Sequence, residues 1–227
     1  MEALMNDLVE EMRLAMDEVS HDELNDIFTD DSEDEMKQAI ETAAQQLLLQ
    51  APPEFLKPCL VKVSIDKESL QDYDAAQTQY TDGHGSIVIP DDFLKLSKLK
   101  LRSWTAPLTE LMEEGSNEAK MQASRWTRGT PQKPKGMLTT NQWGNRELMY
   151  WTAGKYKQKP GVTIDQVYDH TVEVFAYIPT VKVAEGKLSV AIMDVAKKNI
   201  IYRAVSIFLV SKKEGELAEK YLNLSQF

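Results

Sequence analysis

Ser86–Leu108, SIVIPDDFLKLSKLKLRSWTAPL, is the stretch on which the fold turns. Ile87, Val88 and Ile89 form a β-branched run that suits a buried strand. Pro90 has no N–H to give to a ladder and ends that strand. Asp91 or Asp92 can then accept the free N–H groups of a short helical turn, predicted over Phe93–Leu96. Leu99, Leu101 and Trp104 alternate with Lys100 and Arg102, which predicts a second, half-buried strand that Pro107 breaks. A strand, a one-turn corner and another strand make a small nucleus with Trp104 at a junction. On physical grounds alone this is core.

Upstream, Leu60–Ile65 alternates Leu60, Lys62 and Ser64 with Val61, Val63 and Ile65, which predicts a strand. Asp82-Gly83-His84-Gly85 reads as a turn, so the Ile87 run is expected to pair with the strand at Leu60–Ile65. Downstream, Asn117–Trp126 predicts a short helix. Gly136–Leu138 and Arg146–Thr152 predict a hairpin around Asn141–Asn145, with Leu148, Tyr150 and Thr152 on one face. Asp169–Ile178 predicts a last strand, which Pro179 ends.

Both ends of the chain read as helix. Leu4, Leu8, Met12, Ala15, Met16 and Val19 recur at helical spacing. So do Met36, Ala39, Ile40, Ala43, Leu47 and Leu48, up to Pro52 and Pro53. From Val190 to Val210 a wide apolar face spans about six turns, too broad for a surface helix, and Gly215 is expected to break it before a last short helix. The expected fold is α+β: a helical bundle from the N- and C-terminal helices, with a small antiparallel β-rich insertion. The expected segments are 1–58, a helical hairpin; 59–185, the β-rich centre; and 186–227, the C-terminal helices packed on the hairpin, all three forming a single structural unit.

The 227 residues carry 36 acidic and 26 basic side chains, a formal net charge of −10, so the whole molecule should not grip nucleic acid. A single cysteine, Cys59, excludes an intrachain disulfide and suits a reducing compartment. It is expected to be buried rather than nucleophilic. Met1–Val19 is studded with Glu and Asp and does not read as a signal peptide, and no apolar run is long enough to span a bilayer.

No P-loop, GxSxG, HExxH, CxxC or dinucleotide fingerprint is present, so no catalytic residue, metal ligand or cofactor site is assigned. His84, between two glycines, reads as an exposed turn histidine. Asp17–Glu35 holds ten acidic residues and no cation, but it lacks the glycine and terminal glutamate of a calcium loop. Ser32 with Glu35 reads there as a capping box. The one basic stretch is Arg125-Trp126-Thr127-Arg128-Gly129-Thr130-Pro131-Gln132-Lys133-Pro134-Lys135. Its prolines and glycine make it a loop, open to three readings: a contact with an acidic neighbouring subunit, a solvated loop, or a nucleic-acid contact.

The corner IVIPDDFLKLSKLKLRSW, followed by TELMEEG and TRGTPQKPKGML and preceded by a helical start ending LLLQAPPEFL, resembles the head–tail connector (neck ring or adaptor) proteins of tailed bacteriophages, of the crAss-like type. The likeness covers most of the chain and lies in the order and character of its segments. It implies a structural virion protein and not an enzyme: identical subunits in a ring, a dodecamer in that family, beneath the portal protein and against other neck or tail proteins. It implies assembly in the bacterial cytoplasm into the virion neck, with no membrane, and DNA passing through the lumen without specific binding. Arg125, Trp126, Arg128, Lys133, Lys135 and Trp104 are then the candidate subunit-interface residues, with the C-terminal helices beside them and an acidic face towards the bore. The competing expectations are a hydrolase without a recognisable motif and a small nucleic-acid-binding module built on the Trp126 loop.

Overall fold

Apolar stripes at both ends of a chain must find partners, and here they find each other. In a computed structural model, residues 1–19, 32–61, 80–81, 84–124, 127–140, 143–152, 156–157 and 171–226 are described. The elements run β1 (Glu2–Leu4), α1 (Met5–Val19), α2 (Ser32–Gln50), β2 (Cys59–Leu60), β3 (Tyr80–Thr81), β4 (His84–Val88) and β5 (Phe93–Leu101). There follow α3 (Asn117–Met121), β6 (Lys135–Thr140), β7 (Arg146–Trp151), β8 (Tyr156–Lys157) and β9 (Val172–Pro179). Last come β10 (Lys182–Ala184), β11 (Lys187–Ser189), α4 (Lys197–Ser211) and α5 (Gly215–Leu224). Helices and small antiparallel sheets make this an α+β protein. The chain forms two compact units: Met1–Pro58 with Ile178–Phe227, and Cys59–Tyr177.

In the helical unit, α4 packs on both α1 and α2, and α5 packs on α4. Leu8, Met12 and Met16 of α1, Ile40, Leu47 and Leu48 of α2, and Ile200, Phe208 and Leu209 of α4 are all buried. Each such side chain contributes about 1.5–3 kcal/mol on leaving water. Polar contacts fix the register. Lys197 of α4 pairs with Glu11 of α1 at 2.5 Å, and Lys212, just past α4, pairs with Glu35 of α2 at 2.5 Å. The Arg203 guanidinium donates to Gln46 and Gln50, both at 3.0 Å. The buried Tyr221 hydroxyl of α5 donates to the Ala15 carbonyl at 2.8 Å, joining residues 206 apart in sequence.

The C-terminal helix is shorter than its apolar pattern predicts. Val190 and Ile192 are buried but not helical. The Val190 N–H donates to the Met1 carbonyl and the Met193 N–H to that of Phe55, so bonds to distant segments hold this stretch out of the helix. Val210, expected on the apolar face, is 62% exposed, and Val205 and Leu209 are buried instead. Past Ser211 the chain turns out of the helix at Lys213 (φ +69), before Gly215. The N–H groups of Lys213 and Glu214 donate to Val210 and Leu209, a left-handed helix cap built on lysine. Residues 182–189 fold in this unit as a hairpin, β10 to β11, turned by Glu185 (φ +52) and Gly186 (φ +72), and β1 pairs with β11.

In the β unit, β4, β7 and β6 form one antiparallel sheet, β2, β9 and β5 another, and β3 pairs with β8. The expected pairing of the strands on either side of residues 141–145 is present, with Leu138 opposite Leu148. Three expectations are corrected. Ile87 lies opposite Leu148, not beside the strand after Leu60, and β2 pairs with β9. Phe93–Leu96 is not a helical turn: the Phe93 N–H closes a turn on the Pro90 carbonyl, and a nine-residue strand begins at once. Cys59, in the edge strand β2, is exposed. The acidic loop up to Asp31, the proposed strand residues 62–65 and the side chain of His84 lie outside the described residues.

The core of this unit joins Ile87, Phe93, Leu99, Leu101, Trp104, Leu148, Tyr150, Phe175 and Tyr177. Phe93 stacks on Tyr177, ring centroids 5.5 Å apart. Tyr150 lies between two glycines, Gly85 on β4 and Gly136 on β6. A Cβ at Gly85 would stand 2.8 Å from the Tyr150 ring, so the glycine makes room for the phenol.

Candidate subunit interface

The basic stretch is a folded loop, and its organiser is a residue the sequence did not advertise. Ser116 caps α3, its hydroxyl accepting the Ala119 N–H at 3.1 Å. α3 delivers Gln122, which is 2% exposed. The Gln122 Nε2 donates to the Glu118 carbonyl at 3.0 Å, its Oε1 accepts the Gly129 N–H at 3.0 Å, and its own carbonyl accepts Arg128 Nε at 2.7 Å. One buried amide thereby satisfies the backbone on both sides of the loop.

The next turn closes on itself. Thr130 and Lys133 exchange backbone bonds at 3.1 and 2.9 Å, and the Pro131 carbonyl accepts from Thr105 N–H at 3.0 Å. Gly129 is enclosed: a Cβ there would meet the Trp151 carbonyl oxygen and stand 2.7 Å from the Lys135 nitrogen. The described part of the loop is therefore pinned to the strands.

The candidate residues meet different fates in this frame. Arg128 spends its Nε on Gln122. Lys135 is ion-paired with Glu118 of α3. Lys133 is exposed. Arg125 and Trp126 lie outside the described residues. Trp104 is 2% exposed, with its ring edge-on to Tyr150 at 5.6 Å and 78°. It is a core residue and offers no surface to a partner. Its indole N–H, with Ser103 Oγ and Thr152 Oγ1, has no hydrogen-bond partner among the described residues.

The titrating groups here are structural. Burial pushes the Tyr150 phenol up. Burial and then the hydrogen bond to Asp92, at 2.7 Å, push the Tyr177 phenol up. Asp92, expected to cap a helix, instead accepts a tyrosine. Among the described residues no group of three or more His, Cys, Asp or Glu side chains could hold a metal ion, and no helix is long and apolar enough to cross a membrane.

Charge divides unevenly between the units. Residues 1–58 and 178–227 hold 21 Asp or Glu against 11 Lys or Arg, whereas 59–177 hold 15 of each. The net charge of −10 thus falls wholly on the helical unit. No protein-family model and no curated protein matches the chain.

Proposed function

We propose that this chain is a structural subunit of a tailed-bacteriophage neck, one of many identical copies forming a ring between portal and tail, with DNA passing through the bore. The supporting observation is the division of charge: an acidic helical unit joined to a neutral β unit with an exposed cation, Lys133, on a pinned loop. Two acidic helical units repel one another, whereas contact between a helical unit and a neutral β unit avoids that repulsion, which favours head-to-tail contact. Head-to-tail contacts that close by rotation make rings. An acidic wall repels phosphate, so DNA slides past it without being held. The ring would assemble in the bacterial cytoplasm and remain in the virion.

Imaging of the concentrated protein, alone and with purified portal, tests the reading. Closed rings with an open centre are the expected result, as is the protein's presence in purified particles. Its absence from particles, together with a monomer that portal does not assemble, would sink the proposal. Tight DNA binding that falls steeply with salt would point to the nucleic-acid module instead.

A further inference from the structure

Two buried polar residues of the β unit carry groups that no described residue meets. Trp104 is 2% exposed and Thr152 is fully buried. The Trp104 indole N–H and Thr152 Oγ1 have no hydrogen-bond partner among the described residues, and the same holds for Ser103 Oγ. Buried donors and acceptors are nearly always satisfied, because a bare one has lost its hydration and gained nothing in return.

The fold brings these groups to one side of one sheet. Trp104 lies edge-on to Tyr150, ring centroids 5.6 Å apart. Thr152 follows Tyr150 by two residues, just past the end of β7, so strand alternation sends both side chains to the same face, and both are buried. One loop is bound to both segments. The Pro131 carbonyl accepts from the N–H of Thr105, next to Trp104, and Gly129 lies against the carbonyl of Trp151, next to Thr152.

We propose that the Trp104 indole N–H and Thr152 Oγ1 share one buried water, with Ser103 Oγ as its third contact. The indole can only donate, so its partner must accept, whereas a hydroxyl can do either. All three groups are neutral, which suits a neutral ligand that both donates and accepts. A buried water needs about two to four polar partners, and these residues supply three. The water then joins the stretch after β5 to the end of β7, where the basic loop is pinned, so the frame of that loop depends on solvent held inside the fold. This site goes beyond the ring reading and stands whether or not copies of the chain assemble.

A crystal structure of the full chain, at a resolution that shows solvent, tests it. One water within hydrogen-bond distance of both Trp104 Nε1 and Thr152 Oγ1 is the expected result. A protein group between them, separate partners for each, or a dry gap overturns the proposal. Thr152→Val supplies a second readout, because it keeps the shape of the side chain and removes the hydroxyl. It should lower the melting temperature by about 2–4 °C, as the water loses one of its anchors. An unchanged or higher melting temperature would show that the hydroxyl binds nothing, and would overturn the site. If that variant does not fold, the crystal structure of the parent still decides.

Discussion

The two units are built in opposite ways. The β unit is one continuous stretch, Cys59–Tyr177, whereas the helical unit is assembled from both ends of the chain. One holds its glycines and aromatics in register across short strands. The other holds broad apolar helix faces together with a few long-range polar ties, such as Tyr221 to Ala15. The lesson is that α4 and α5 are no appendage: without them the stripes of α1 and α2 lose their cover.

Substitutions can break this comparison. The largest effect is expected in the helical unit. Phe208→Ala empties a fully buried site in α4 and should cost about 3–5 kcal/mol, read as a lower denaturant midpoint in the helical circular-dichroism signal. Retention of the parent midpoint would mean that α4 does not pack as described. In the β unit, Gly129→Ala should cost about 1–3 kcal/mol, because the added carbon overlaps backbone that cannot yield. Gly115→Ala sharpens that result. Gly115 has φ +78 and nothing within 4 Å, so it should show only the left-handed backbone cost, about 1 kcal/mol. Equal losses at the two glycines would contradict the enclosed geometry of Gly129.

A smaller effect probes the long-range tie. Tyr221→Phe leaves the Ala15 carbonyl buried without its hydroxyl donor and should cost about 1–2 kcal/mol in thermal unfolding. The smallest has the opposite sign. Lys213→Gly relieves a left-handed lysine at the end of α4 and should stabilise by about 0.5–1 kcal/mol. A loss of stability there would show that the lysine side chain matters more than its backbone.

The same contrast explains what was legible in the sequence. Helical periodicity named the buried faces well: Met36, Ala39, Ile40, Ala43, Leu47 and Leu48 are all buried. The hairpin around residues 141–145 was legible because a polar turn separates two runs of local pattern. Other features depend on residues far away. In β5 the buried positions Phe93, Leu96 and Leu99 recur every third residue, which imitates a helix, and only pairing with β9 makes the segment a strand. Val190–Ile192 has helical-looking spacing, yet its backbone bonds to other segments. At the candidate interface, a row of cations was visible but their use was not. Lys135 is answered by Glu118, seventeen residues away, and Gln122 had no pattern to mark it. Trp104 reads as core on physical grounds and as an interface residue only through the resemblance, and it is 2% exposed.

The claim on which the fold rests is that the first and last helices share one core. A spin label on Leu14→Cys, in a Cys59→Ser background, tests this directly, because both sites are exposed and residue 14 adjoins the carbonyl that Tyr221 binds. Strong broadening of the backbone amide signals of Gly215–Leu224 is the predicted result. Sharp, unaffected signals throughout that helix would contradict it.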